Sequence, residues 1–164
     1  MIKLSDLLGK EHILVAGDIS SKKRVLELLS ESVAGKISEL TAAEIFDSLV
    51  TRERLGSTGL GHGVAIPHAR LKSVSRPIAA FLKLREGIDY DAIDGEPVDL
   101  FCALVVPDQS TDEHLKILAL LAEMFSDHDL CTRLRAAESS SDIHTLLINW
   151  QPAEMPSAVK RAHN

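Results

Sequence analysis

The sequence predicts an α/β protein of one domain, in which helices pack on a sheet. Short apolar runs typical of buried strands alternate with segments of helical periodicity, and the last third of the chain is helical. The length of 164 residues is that of one ordinary domain. A chain of this size buries roughly 70% of its unfolded surface on folding. We therefore expect one core between a sheet and its helices.

The first elements along the chain are a helical turn, a strand and a long helix. The turn begins at Ser5, the strand covers residues 12–16, and the helix runs from Ser20 or Ser21 to about Ala34. Side chains at a spacing of three and four residues give this helix a stripe that we expect to face the core: Val25, Leu28, Leu29, Ser32 and Val33.

Two later helices are predicted from capping boxes at their N-termini. In the first box, the hydroxyl of Thr41 and the carboxylate of Glu44 satisfy each other's backbone N–H groups, and the helix ends before Gly56. We expect its inward-facing side chains to be Ile45, Phe46, Leu49 and Val50. The second box covers residues 110–113 and opens a helix that lasts to about Phe125.

The remaining elements are strands in the middle of the chain and two short helices near its end. The apolar runs predict strands at residues 64–66, 77–84 and 98–106. Asp94 and Gly95 mark a turn before the last of these strands. Residues 127–149 have the pattern of two helices that separate near residues 139–141. Residues 151–164, with two prolines and few apolar side chains, are predicted to be a flexible C-terminal tail.

The composition argues against several classes of function. The net charge is −6 at pH 7, and no basic cluster lies among aromatic residues, so we expect no binding to nucleic acid. The apolar runs are shorter than the roughly 20 residues of a membrane span, and charged residues interrupt the start of the chain where a signal peptide is apolar. We therefore expect a cytoplasmic protein with no membrane insertion. Cys102 and Cys131 have no CxxC spacing and are predicted to be reduced packing residues.

The most informative segment is residues 51–70, TRERLGSTGLGHGVAIPHAR. Its glycines permit positive φ and close backbone approach, and the strand at residues 64–66 gives a stiff support. Pro67 then fixes the angle at which His68 leaves that strand. A histidine placed in this way is a candidate nucleophile.

Other functional interpretations of this segment lack the residues that they require. A phosphate-binding loop requires GxxxxGK[ST] after a strand, whereas these glycines lack the lysine and precede the strand. A Rossmann fingerprint requires a third glycine where Val64 stands, and a serine hydrolase requires a GxSxG turn that the sequence lacks. Zinc bound by His62, His68 and His114 is conceivable, but no HExxH helix or cysteine pair supports it.

The segment GHGVAIPHAR, with TRERLGSTG before it, resembles the active-site segment of the EIIA proteins of the phosphoenolpyruvate-dependent phosphotransferase system. The likeness is to the fructose/mannitol-type superfamily and its nitrogen-related branch. It extends to DAIDGEPVDL, ALVVP, STDEHLKILALLAEMF and RLRAAES, so that residues 1–150 are expected to form one EIIA type-2 domain ahead of the tail. The resemblance implies a mixed parallel and antiparallel sheet with helices on both faces.

The resemblance also assigns roles to residues. It implies that His68 is the phosphorylated nucleophile, and an imidazole with a pKa near 6.5 has one ring nitrogen free to attack at neutral pH. Arg52 matches the family's arginine against the phosphoryl group, and a guanidinium can donate two parallel hydrogen bonds to phosphate oxygens. His114 matches a supporting histidine, while Ser57 and Thr58 are expected to form a phosphate-binding loop. No metal and no cofactor are expected.

The resemblance implies a phosphocarrier that accepts its phosphoryl group from an HPr-like carrier protein. The GSTG turn and DAIDGEPVDL are more like the nitrogen branch, which favours a regulator of target proteins, with potassium transport or a sensor kinase as possible targets. A sugar-transport EIIA that passes phosphate to an EIIB is the alternative, and a binding module that never carries phosphate is a third. His62 stands where relatives often have asparagine, and Arg70 either reaches the phosphate or only borders the loop.

Overall fold

Helices and strands follow one another in the computed structural model largely in the predicted order. The structure describes residues 3–35, 37, 40–109 and 111–152. Its helices are α1 (Leu4–Leu7), α2 (Lys22–Ala34), α3 (Ala42–Arg54), α4 (Thr111–Phe125), α5 (His128–Ala136) and α6 (Ser140–Ile148). Its strands are β1 (Ile13–Ala16), β2 (Gly59–Gly61), β3 (Val64–Ala65), β4 (His68–Leu71), β5 (Ile78–Ile88) and β6 (Val98–Pro107). A single 3-10 turn, Lys10–His12, precedes β1.

The strands form one mixed sheet in the order β1-β5-β6-β3-β2, with β4 also paired to β6. β1 is parallel to β5, and both β3 and β4 are parallel to β6, whereas β5 and β6 are antiparallel. β3 and β4 are successive segments beside the same neighbour, since Val64 pairs with Leu100 and His68 with Leu104. Within the described ranges, no helix is both long and apolar enough to cross a membrane.

Helices cover both faces of this sheet, as the sequence predicts. Successive residues of a strand point to opposite faces. Phe81 of β5 therefore packs in a core with α4, α5 and α6, whereas its neighbour Leu82 packs in a second core with α2 and α3. The prediction of an α/β fold with a mixed sheet and helices on both faces is confirmed.

The two long N-terminal helices begin where the sequence places them. The hydroxyl of Ser21 accepts the N–H of Arg24 at the start of α2, and the Thr41–Glu44 capping box is complete. The buried stripe of α2 is rotated from the prediction, because this helix packs against α3 as well as β5. Ser30 is fully buried, with its hydroxyl donating to Leu26 O at 2.7 Å. Four side chains that were predicted to face the core are only half-buried. They are Leu28 and Ser32 of α2, and Phe46 and Val50 of α3.

The sequence pattern missed two short strands and part of a third. β2 and β4 carry glycine, histidine and arginine, which are not typical of buried strands. β5 continues past Leu84 because Ile88 still pairs with Val98 after an irregularity in register, although three exposed polar or glycine residues separate it from the apolar run. Ser110 of the second capping box lies outside the described residues, as does nearly all of the predicted tail, residues 153–164.

Candidate functional site

Three of the predicted site residues line one open groove of about 630 Å³. Arg52 lies in the last turn of α3, His68 begins β4, and His114 lies in the first turn of α4. They meet because β4 runs parallel to β6, and β6 leads directly to the start of α4 at the same edge of the sheet. The other lining residues come from α3, its end and β4: Asp47, Ser48, Thr51, Leu55, Ala69 and Arg70.

The ring of His68 is held by a main-chain carbonyl. Its Nδ1 lies 2.8 Å from Ile66 O, and because a carbonyl can only accept, Nδ1 carries the proton and donates it. In the neutral ring the lone pair is then on Nε2, the nitrogen left free for attack. The tautomer is thus assigned from the hydrogen-bond partner.

The surroundings of His68 favour its neutral form. Burial lowers the pKa of His68 from its usual 6.5, and the positive charge of Arg52 lowers it further. The hydrogen bond to Ile66 O and the negative charge of Glu53 act in the opposite direction without reversing the shift. At pH 7 the imidazole is therefore neutral, which is the state a nucleophile requires.

His114 approaches the edge of His68 and has an unused ring nitrogen. The two ring centroids are 5.5 Å apart at an interplanar angle of 63°. His114 is only 8% exposed, and its Nε2 has no hydrogen-bond partner among the described residues. Burial lowers the pKa of His114, and the charges of His68 and Arg70 contribute. Since a buried polar atom without a partner costs about 1–3 kcal/mol, this nitrogen fits a site that receives a polar ligand.

Two guanidinium groups border the same groove. Arg52 donates from Nη1 to Gly56 O at 2.8 Å, which leaves further N–H donors of its planar fork available. Arg70 donates from Nη1 to the hydroxyl of Thr111 at 3.3 Å, and so connects β4 to the first residue of α4. Both arginines therefore add positive charge beside the two imidazoles.

The hydroxyls of Ser57 and Thr58 make other contacts. Ser57 Oγ donates to Tyr90 O at 3.4 Å and accepts the N–H of Gly59 at 3.1 Å. Thr58 Oγ1 donates to Glu53 Oε1 at 2.6 Å in a buried position. Neither residue lines the groove, so the structure brings three of the five predicted site residues together there.

Sequence reasoning missed Glu53, which is buried beside Arg52. The only signal in the sequence is its place in TRER, next to the assigned arginine. Its burial depends on contacts with Lys22 and Tyr90, which are distant along the chain. No local sequence pattern predicts these contacts.

His62 lies apart from the groove and argues against the zinc alternative. Its ring contacts that of His128, with centroids 4.8 Å apart, and both side chains are exposed. Its backbone has φ of 57°, a conformation that asparagine tolerates well. The described part of the chain contains no group of three or more histidine, cysteine or carboxylate side chains that could hold a metal ion.

Comparisons with known proteins identify the family of the chain. The family model described as "Phosphoenolpyruvate-dependent sugar phosphotransferase system, EIIA 2" matches residues 6–150. A nitrogen regulatory protein of Pseudomonas aeruginosa is 44% identical over 151 residues, which cover 92% of this chain and 98% of the relative. One from Escherichia coli K12 is 41% identical over 151 residues and 92% of each chain.

Among solved structures, the nitrogen regulatory protein IIA-Ntr of Neisseria meningitidis superimposes with a TM-score of 0.82. It is 39% identical, and the match covers 88% of this chain and 98% of that one.

Proposed function

Because the chain belongs to the EIIA type 2 family of the phosphoenolpyruvate-dependent sugar phosphotransferase system, we propose that it carries a phosphoryl group on His68. The observation that supports this most directly is the arrangement of His68 and His114. The ring of His68 lines the groove and donates Nδ1–H to Ile66 O, so that Nε2 carries the lone pair, and His114 has a buried Nε2 with no partner among the described residues. The group would arrive from an HPr-like phosphocarrier protein in the cytoplasm.

The transfer step requires little from the protein beyond placement and charge. The lone pair of His68 Nε2 forms the new bond to phosphorus, while the electron pair of the breaking bond leaves with the carrier. Negative charge on the three equatorial oxygens then lies beside Arg52, Arg70 and the first turn of α4. His114, kept neutral by its lowered pKa, can donate one ring N–H to a phosphoryl oxygen.

We propose that phosphorylation regulates binding to target proteins. The relatives are named nitrogen regulatory proteins, which supports this role for the present chain. A phosphoryl group adds about −1.5 to −2 charges at pH 7. Leu55, which lines the groove, is 81% exposed, and Leu115, the residue after His114 in the chain, is 60% exposed, so a partner can cover both. A partner that docks on these leucines would have to desolvate the new charge, so it binds the unphosphorylated form better.

The decisive experiment is phosphorylation with purified components. The protein is incubated with phosphoenolpyruvate, enzyme I and the HPr-like carrier, and the modified residue is mapped by mass spectrometry. We expect one acid-labile, base-stable adduct on His68, which His68→Ala abolishes. The matched control is His128→Ala, which removes an exposed histidine outside the groove and leaves labelling intact. A stable adduct on serine, or no adduct, would reject the proposal.

The second candidate is a sugar-transport role, which is supported by the description of the family as part of a sugar phosphotransferase system. In that case the phosphorylated protein would pass its phosphate to a fructose- or mannitol-type EIIB. Adding such an EIIB to the phosphorylated protein distinguishes the two roles. Rapid loss of label from His68, together with copurification with a membrane sugar permease, would favour transport over regulation.

A further inference from the structure

Glu53 is a buried carboxylate that the transfer chemistry above does not use. It is 7% exposed and lies at the C-terminal end of α3, next to Arg52. Its oxygens accept the backbone N–H of Thr58 at 2.9 Å, the hydroxyl of Thr58 at 2.6 Å and the hydroxyl of Tyr90 at 3.1 Å. Lys22 Nζ, from the start of α2, lies 3.1 Å from Oε2.

These contacts keep the carboxylate charged inside the protein. Burial acts to raise the pKa of Glu53, but hydrogen bonds from Thr58 and the ammonium group of Lys22 outweigh it and lower that pKa. Lys22 also lies 4.4 Å from the centre of the Tyr90 ring, so the cluster is packed as well as hydrogen-bonded. If one of these partners moved away, the buried carboxylate would lose an interaction at a cost in free energy. The carboxylate therefore holds its partners in one arrangement.

A series of hydrogen bonds leads from this carboxylate to the ring of His68. Glu53 accepts the N–H of Thr58, the carbonyl of Thr58 accepts the N–H of Ile66 at 3.0 Å, and the carbonyl of Ile66 accepts His68 Nδ1–H at 2.8 Å. Each link fixes the peptide or ring that forms the next one. The position of the carboxylate is thus transmitted through two main-chain groups to the imidazole.

The same residue also holds the turn that carries Arg52. The N–H of Gly56 donates to Glu53 O at 3.2 Å, and Arg52 Nη1 donates to Gly56 O at 2.8 Å. The main-chain carbonyl of residue 53 therefore helps to hold the turn that carries Arg52, as any residue at this position would, whereas the side chain of Glu53 acts toward His68.

We propose that Glu53 is a positioning residue for phosphoryl transfer, whose carboxylate sets the His68 ring through Thr58 and Ile66. This inference rests on the proposed function. Glu53 touches neither the carrier nor the phosphoryl group, so its substitution should impair the transfer step and leave carrier binding almost unchanged.

The test compares Glu53→Gln with Tyr90→Phe. Glutamine keeps the size of the side chain but removes its charge and replaces one of its two accepting oxygens by an N–H donor. Tyr90→Phe keeps the carboxylate and removes the Tyr90 hydroxyl, which donates to Glu53 at 3.1 Å and lies 3.3 Å from the hydroxyl of Thr58. Glu123→Gln is the matched control, because Glu123 is an exposed glutamate of α4 that does not line the groove. Folding of each variant is checked by circular dichroism and urea denaturation.

Transfer from the phosphorylated carrier gives the first readout. A misplacement of about 1 Å at reacting groups can cost up to about a hundredfold in rate. We expect Glu53→Gln to lower the maximal rate about 10- to 100-fold with KM for the carrier within about twofold, and Tyr90→Phe to have a smaller effect. Wild-type rates in Glu53→Gln, while the wild-type protein is phosphorylated on His68, would overturn the inference.

NMR of the imidazole nitrogens gives a second readout that does not depend on transfer. The charged and titratable groups around His68 are Asp47, Arg52 and Glu53 from α3, Arg70 from β4 and the neutral His114 from α4. Losing the negative charge of Glu53 should lower the pKa of His68 further and weaken the preference for the Nδ1–H tautomer. An unchanged pKa and tautomer would overturn the inference. A wild-type protein that takes up no phosphate would reject the proposed function, and the NMR result alone would then decide whether Glu53 sets this ring.

Discussion

Replacing Arg52 by alanine tests the electrostatic part of the proposed mechanism. The guanidinium lines the groove with His68 and uses Nη1 for Gly56 O, so its remaining donors are available to phosphoryl oxygens. A hydrogen bond to a charged group contributes about 1.5–3 kcal/mol, and a tenfold change in rate corresponds to about 1.36 kcal/mol. Losing one such bond in the transition state should therefore slow transfer by about 10- to 150-fold.

The rate is measured by rapid quench, with the labelled carrier mixed with excess protein. Arg52→Lys keeps the charge without the planar fork, so it should recover only part of the loss. Arg54→Ala is the control, because Arg54 lies in the same last turn of α3 but borders a different groove, between α2 and α3. We expect its rate to stay within about twofold of wild type.

Measuring the pKa of His68 in Arg52→Ala tests whether the charge of Arg52 acts on the nucleophile. The positive charge of Arg52 contributes to lowering the pKa of His68, so Arg52→Ala should raise that pKa. Transfer rates within twofold of wild type in Arg52→Ala, with the pKa of His68 unmoved, would refute the assignment of this residue to the phosphoryl group.

Three further outcomes are expected. His114→Ala should slow transfer about tenfold, and His114→Gln should recover part of it, because an amide N–H can replace the ring donor. The lowered pKa of His68 should keep the transfer rate level from pH 8 to about 6.5 and let it fall only at lower pH, as a pH–rate profile will show. Gly63→Ala should lower the free energy of unfolding by about 1–3 kcal/mol in urea denaturation, because Gly63 has φ of 82° and a new Cβ would lie 2.5 Å from Arg135 Nη2.

A specific result would contradict each of these outcomes, and the glycine variant also has a matched comparison. For Gly63 it is Gly35→Ala, where φ is −62° and the nearest atom to a new Cβ is Ser32 O at 3.4 Å, so stability should change little. Equal losses in the two glycine variants would contradict the argument from backbone conformation. A transfer rate that already falls between pH 8 and 7 would contradict a neutral His68, and full activity in His114→Ala would remove this residue from the site.

The lowered pKa values of His68 and His114 also determine whether the free energy of unfolding rises or falls with pH. Below about pH 6.5 the unfolded chain binds more protons at these rings than the folded chain does. The free energy of unfolding should therefore fall as the pH falls from 6.5 through the folded pKa values. A His68→Gln variant should show a weaker dependence in the same denaturation series.

Local patterns in the sequence were sufficient for most of the fold. The capping box of Thr41 and Glu44 and the apolar runs of β5 and β6 are short-range signals, and each lies where it was predicted. β4 was missed because its residues, His-Ala-Arg-Leu, are half polar, and it is a strand only because β6 offers free backbone groups beside it. That pairing is a tertiary effect which no window of sequence contains.

The site was predictable to the extent that it follows a motif. His68 is identified by the segment around it, and the meeting with His114 follows from the placement of β4 and α4 at one sheet edge. Glu53 was not predictable, because its role depends on Tyr90, 37 residues further along the chain, and on a chain of backbone contacts. The sequence predicts Ser57 and Thr58 as a phosphate-binding loop, and in the fold the hydroxyl of Thr58 donates to the carboxylate of Glu53.

The interruption between β3 and β4 has a consequence for how the protein tolerates mutation. Pro67 separates the two segments, and its carbonyl continues the ladder by accepting Leu104 N–H at 2.9 Å, while the carbonyl of Ile66 turns to the imidazole. The acceptor that orients the ring is therefore common to all twenty amino acids. The side chain at position 66 can therefore be replaced during evolution by any that fits the core. The carbonyl that orients the ring of His68 is kept in every case.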